Sequence, residues 1–225
     1  MLTLKNAGKE FAFTLAEVLI TLGIIGVVSA MTMPTLIANY QKQVTVNKIK
    51  KFYTNINQVI AQAQVDNGEF SSWSYENSED FYNKYIKPYI KNVDKVETNI
   101  HIAGDFLGGV RFVLADGTQA IFSSGSCFLG DCAMRPVIVF DIKVQKHNDT
   151  YSTYIKHPTR ERFYFIIDKN GTVTFPRLTN NRTQNLSSCK KFNPNNGIDY
   201  GSNGYVTCST VIYKDGWKIA PDYPW

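Results

Sequence analysis

Apolar residues fall along this chain in a sequence of different rhythms. From residue 13 to residue 36 they run almost unbroken, FTLAEVLITLGIIGVVSAMTMPTL, with one carboxylate at Glu17. Such a run is long enough to span a bilayer as a helix, which needs about 20 apolar residues. Next, Val46, Ile49, Phe52, Tyr53, Ile56, Val59, Ile60 and Ala63 recur at i, i+3, i+4, i+7 spacing among Lys, Asn and Gln. That spacing predicts an amphipathic helix with one apolar stripe turned to a partner.

The two patterns join into one long helix from residue 13 to about residue 64. It would be roughly 80 Å long at 1.5 Å per residue. Pro34 lacks a backbone donor and its ring meets the carbonyl one turn earlier, so a kink or local melting is expected there. Gly23 and Gly26 permit close helix approach, although glycine is also frequent in spanning helices generally. Asp66-Asn67-Gly68 ends the helix with turn residues. Ser78, followed by Glu79 and Asp80, is placed to cap a short second helix over 81–89, interrupted by Pro88.

Further on, the chain turns to strand chemistry. Residues 110–115 and 118–123 flank Asp116-Gly117, a strong hairpin signal. Residues 136–144 form a β-branched run, and 162–167 and 172–175 flank Asp168-Lys169-Asn170-Gly171. Residues 206–213 are strand-like by β-branching, yet similar segments before Gly-Trp form short helices. The expected fold class is α+β, an antiparallel sheet of four or five strands packed on the apolar stripe of the long helix.

Before the apolar run stands a polar leader, MLTLKNAGKEFA, in which Lys5 and Lys9 outnumber Glu10. Positive flanks stay in the cytoplasm, so the chain should enter the membrane N-terminus inside. A secretory signal peptide places its small-residue cleavage site after the apolar stretch. Here the order is reversed, and Ala12 precedes it. A cut between Ala12 and Phe13 would remove only the leader and keep the helix.

This arrangement, Ala12 before FTLAEVLITLGIIGVVSAMTMPTLI, resembles the N-terminal cleavage and methylation motif of type IV pilins and type II secretion pseudopilins. The resemblance implies that a prepilin peptidase cuts before Phe13 and N-methylates its new amine. It also matches the family's Glu at the fifth mature position, Glu17, and its Pro late in the apolar half, Pro34. The family's usual residue before the cut is Gly, where this chain has Ala12. By resemblance the parts are a cytoplasmic leader, 1–12; a transmembrane and filament-core helix half, 13–36; an amphipathic half, 37–66; and a globular α+β head, 67–225, all in a pilin-like fold. In the family's assembly model the carboxylate of an incoming subunit pairs with the Phe amine of one already in place, which gives Glu17 a role in subunit assembly. The bland alternative pairs Glu17 with its own helix terminus, worth about 0.3–1 kcal/mol.

Composition leaves ordinary globular material once the apolar run is set aside: 225 residues, 44% hydrophobic and 19% charged. The net charge of +5 is mild and its lysines are scattered. Lys42, Lys48, Lys50 and Lys51 form the best basic segment, read as the solvated face of a helix rather than a nucleic-acid patch. Some relatives by resemblance serve DNA uptake, but nothing in the sequence demands it. The chain has 4 cysteines, Cys127, Cys132, Cys189 and Cys208, all after the apolar run. In an oxidising compartment they should form disulfides, for which four cysteines allow three pairings. We expect Cys127 with Cys132 and Cys189 with Cys208, the latter closing a loop much as the disulfide-bounded loop of pilins does. Zinc is the weaker reading, because His101, His147 and His157 are not at ligand spacing beside the cysteines.

No nucleophile elbow, phosphate-binding glycine loop or His-Glu-x-x-His motif is present. Gly125-Ser126-Cys127 is better read as half of a bridge than as a nucleophile. Asp168-x-Asn170-Gly171 lacks the glycine position and closing Glu of a calcium loop. Asn148, Asn170, Asn181 and Asn185 begin Asn-x-Ser/Thr triplets that chance explains in an Asn-rich chain. Residues 141–162, where some pseudopilins hold calcium, carry acids only at Asp141, Asp149 and Glu161 among more basic residues. No obligatory calcium, other metal or cofactor is expected. The aromatic tail with Trp217, Tyr223 and Trp225 should cover the sheet face.

These readings converge on a non-enzymatic filament subunit in the bacterial inner membrane, with its head periplasmic or extracellular. Its expected partners are a prepilin peptidase, other pilin or pseudopilin subunits and an inner-membrane assembly platform. The alternative of another class is an uncleaved, signal-anchored periplasmic binding or sensor domain.

Overall fold

The computed structural model describes residues 13–74, 76–102, 106–128, 131–143, 158–176, 181–190 and 207–225, with the backbone alone at 101–102, 106–108, 125–128, 131–135 and 158. It divides into two compact units, Met1–Lys42 and Gln43–Trp225. Helix α1, Leu15–Asn67, begins in the first and ends in the second. Its helical assignment is unbroken at Pro34, so the expected melting is absent. The residues after Pro34 stay helical as far as Asn67, because the proline removes only one donor of the ladder.

In the second unit the predicted stripe is the core face of α1. Val46, Ile49, Phe52, Ile56, Val59, Ile60 and Ala63 are buried in one cluster with the sheet. Phe52 stacks on Phe140 with ring centroids 4.3 Å apart. A short 3-10 turn, Phe70–Ser72, follows, then α2, Ser78–Phe81, which widens into a π-type turn, Tyr82–Ile86. Asn77, not Ser78, caps α2: its side-chain oxygen accepts from the amides of Glu79 at 2.7 Å and Asp80 at 3.3 Å. Ser78 turns inward instead, its hydroxyl accepting from the Ser124 amide at 3.0 Å. The helical segment therefore runs over 78–86, three residues earlier at each end than the predicted 81–89.

Six antiparallel strands form a meander in sequence order: β1 (Val93–Ile102), β2 (Phe106–Leu114), β3 (Gln119–Phe128), β4 (Asp131–Asp141), β5 (Arg162–Ile167) and β6 (Val173–Thr174). β1 is the strand the sequence reading missed. Side chains alternate across the sheet. Phe112, Phe122, Phe140 and Phe165 join the cluster with α1, while Ile121, Val137, Val139 and Tyr164 form a second cluster. The Asp116-Gly117 hairpin closes as expected, with Gly117 at φ 73° and the Leu114 amide donating to the Thr118 carbonyl at 2.8 Å. Gly171 has two reasons to be glycine. Its φ is +78°, and a Cβ there would lie 2.8 Å from both Gln64 Nε2 and Phe70 Cβ.

Gln119, Asp141 and Arg162 stand opposite one another on β3, β4 and β5, all buried. Arg162 clasps Asp141 through Nε at 2.6 Å and a terminal nitrogen at 2.7 Å, and Gln119 adds a bond at 2.8 Å. A buried carboxylate needs this kind of paired and hydrogen-bonded partner.

Two further helices complete the second unit: α4, Arg182–Lys190, and α5, Cys208–Lys214, with a short α3, Pro158–Glu161, before β5. Of the two readings offered for the segment around residues 206–213, the helix is the one present. α4 and α5 are joined by the Cys189–Cys208 disulfide. Cys127 and Cys132 lie on β3 and β4, and their side chains fall outside the described residues. So do residues 144–157, the greater part of the segment considered for calcium. Within that segment Asp141 is occupied by Arg162 and Glu161 sits 3.6 Å from Lys143.

The tail is fixed to the head. Arg182 bridges Asp215 and Asp222, whose carboxylates hold its guanidinium above its ordinary pKa. The Tyr223 hydroxyl donates to the Thr159 carbonyl at 2.6 Å, and burial pushes its phenol up. Trp217 packs 5.3 Å from the Tyr53 ring, and Trp225 lies under the Arg160 guanidinium.

Candidate assembly site

The sequence Thr14-Leu15-Ala16-Glu17 sets the beginning of α1. Four amides at a helix start lack intrahelical partners, and a Ser/Thr-x-x-Glu box satisfies two of them reciprocally. Here the Glu17 amide donates to Thr14 Oγ1 at 3.2 Å, and the Thr14 amide donates to Glu17 Oε2 at 2.8 Å. The Thr14 hydroxyl donates to the same carboxylate oxygen at 2.8 Å. The carboxylate thus turns back towards the helix N-terminus. Thr14 is the residue the sequence reading overlooked, although the box was legible as T-x-x-E.

The surrounding surface is apolar and open. Leu19, Ile20, Leu22, Ile24, Ile25, Val27 and Val28 are all exposed, and none of the most hydrophobic window of α1 is buried. This makes α1 a candidate membrane span by length and composition. Thr21 and Thr32 donate their hydroxyls to the carbonyls of Val18 and Val28, each at 2.9 Å, which satisfies these two hydroxyl protons within the helix. A Cβ added at Gly23 or Gly26 would meet nothing within 4 Å. Each glycine weakens a helix interior by about 1 kcal/mol relative to Ala, and contacts within this chain give no reason for it.

The family model described as a family of unknown function (DUF6613) matches residues 35–225. The chain belongs to that family. No curated protein and no solved structure matches it. The DUF6613 match begins immediately after Pro34 and takes in the second part of α1 with the whole described sheet.

The predicted site residues of this DUF6613 protein therefore stand in separate places. Phe13, Glu17 and Pro34 lie in the first unit, and Ala12 lies outside the described residues. Cys189 and Cys208 are bonded to each other in the second unit. Among the described residues no group of His, Cys, Asp and Glu is placed to hold a metal ion.

Proposed function

We propose that this protein is a structural subunit of a type IV pilus-like or type II secretion pseudopilus-like filament, cut between Ala12 and Phe13, N-methylated at Phe13 and assembled from the bacterial inner membrane. It has no enzymatic activity of its own. Its partners are a prepilin peptidase, further subunits and an inner-membrane assembly platform, and after assembly the head faces outward.

One observation carries the reading. A lone carboxylate is fixed in the first turn of a helix whose most hydrophobic stretch, among the described residues, buries none of its side chains. The capping box accounts for the position of Glu17 but not for its charge, because Gln closes the same box. The helix dipole adds about 0.3–1 kcal/mol for a charge, against about 2.5–3.5 kcal/mol for a carboxylate at the centre of a span. A freed Phe13 amine, with a reference pKa near about 8, is a cation at neutral pH and a natural counter-ion for a neighbour's Glu17.

Glu17→Gln separates the two roles. It keeps the cap and the membrane insertion, and in a cell with the assembly machinery it should abolish incorporation into filaments. Normal incorporation of Glu17→Gln would sink the proposal. Intact-mass analysis of the membrane-purified chain from a cell with prepilin peptidase tests the processing step. It should give an N-methylated Phe13 start, whereas a Met1 start would favour an uncleaved anchored domain.

A further inference from the structure

The head carries its charge unevenly along α1. On the solvent side of the helix, between α1 and residues 89–92, lies an open groove of about 670 Å³ lined by Lys50, Lys51, Lys91, Asn55, Gln58 and Tyr89. Among the described residues no carboxylate lines it. A smaller adjoining groove of about 290 Å³ adds Lys48, shares Lys51 and Lys91, and has one carboxylate, Asp116, in its lining. Only one of these cations is neutralised by an ion pair among the described residues: Lys51 meets Asp116 of the β2–β3 hairpin at 3.1 Å.

Acidic side chains follow α1 in the chain, and the last residue of that helix, Asn67, lies about 25 Å along the helix axis from Lys50 at 1.5 Å per residue. Glu69, Glu76, Glu79 and Asp80 are exposed there, and none makes an ion pair among the described residues. This acidic end is rigidly built. Phe81 stacks on Phe122 at 4.5 Å, Trp73 stacks on Tyr85 at 4.1 Å, and the Trp73 indole donates to the Gly68 carbonyl at 3.0 Å.

We infer that the lysine groove is the receptor for the acidic end of a second copy of this chain, with Lys50 and Lys91 facing Glu76 and Glu79 of the neighbour. This inference rests on the filament reading and names a contact within it. A basic patch at one end and an acidic patch at the other cannot satisfy each other within one head. Between parallel copies displaced along the α1 axis they meet head to tail, and such a heterologous contact repeats without closing. The carboxamides of Asn55 and Gln58 would donate to the incoming carboxylates and accept from neighbouring backbone, which fixes register beyond what bare charge provides.

The test uses the full chain in detergent, with self-association followed by sedimentation. Wild type should associate at low salt and dissociate as salt rises beyond about 0.1 M, where charges more than about 10 Å apart are screened. K50E/K91E and E76K/E79K should each weaken association by about five- to tenfold, as two exposed pairs of modest strength predict. The quadruple variant carrying both reversals should regain it, because the charges are exchanged rather than lost.

Unchanged association of both double variants would overturn the contact, and so would a quadruple variant that stays weak. A wild-type chain that does not associate, yet is retained on a sulfated polysaccharide through Lys50 and Lys91, would overturn it in favour of a foreign polyanion. Failure of the filament reading shows separately, as a Met1 start or normal incorporation of Glu17→Gln.

Discussion

The two parts of helix α1 have the same secondary structure and opposite surroundings. In Leu15–Asn67 the residues before 43 leave Leu22, Ile24, Val27 and Met31 exposed, while those after it bury Ile49, Phe52, Ile56 and Ile60 almost completely. Both parts are continuous α-helix, so backbone conformation does not separate them. What differs is where each finds its apolar partner. The later part finds Phe140, Phe165 and Phe175 in its own chain. The earlier part keeps its apolar side chains exposed among the described residues. A helix that is apolar all round and one that is apolar on a stripe are different instructions, although both read as helix.

The largest effect should come from removing a partner on the buried side. Phe52→Ala should destabilise the head by about 3–5 kcal/mol, since a stacked, buried ring is lost and a cavity remains. Ile24→Ala should leave head stability within about 0.5 kcal/mol. Denaturant unfolding of the full chain in detergent, read by near-ultraviolet circular dichroism of the head tryptophans, distinguishes the two. An equal response at both positions would erase the distinction between the parts of α1.

Next in size is the disulfide. Cys189→Ser with Cys208→Ser should lower head stability by about 3 kcal/mol, from a closed loop with a sequence separation of 19. Membrane insertion, read by carbonate extraction, should not change.

Smaller again are changes at the exposed part. Thr14→Ala should weaken the first turn of α1 by about 1 kcal/mol through loss of the box, seen as faster amide exchange near Glu17. Gly23→Leu meets no atom of its own chain within 4 Å, so the head should be unaffected. Incorporation into filaments should nevertheless fall if Gly23 serves close approach between copies, and unchanged incorporation would return it to the ordinary glycines of spanning helices.

The smallest effect is one of pH, at the tail. The Arg182 hydrogen bonds hold the Asp222 carboxyl below the usual carboxylate range, against opposing desolvation. A depressed carboxylate contributes stability above its unfolded pKa and loses it as pH falls through the lower folded value. Acidification below the ordinary Asp range should therefore loosen the tail, read as a change in tryptophan fluorescence, and Asp222→Asn should remove that dependence.

Much of the head was legible because its signals are local. The stripe from Val46 to Ala63, the Asp116-Gly117 turn and the strand Arg162–Ile167 each carry their own pattern. β1 was missed because VDKVETNIHI mixes charge into a strand paired on one side only, where little burial enforces alternation. The cap was displaced because Asn77 and Ser78 are both good caps, and only tertiary contact with Ser124 decides which turns inward. Thr14 was hidden by its place inside a longer apolar run. The role of Asp141 depends on Arg162 standing beside it across a strand pair, a contact that no local spacing announces.

The margins of the sheet guard this protein against edge-to-edge strand pairing. One margin is β6, only 2 residues long. The other is β1, with register irregularities at Val93/Lys95, Glu97/Ile100 and Ile100/Ile102, Asn99 at φ 58°, and the charges of Asp94, Lys95 and Glu97. Bulges, charge and brevity are the devices that stop strands from templating onto one another. A head so bordered resists runaway cross-β growth even when copies are crowded together, so in the filament we propose the subunits would be held by helices and side chains and could be taken apart again.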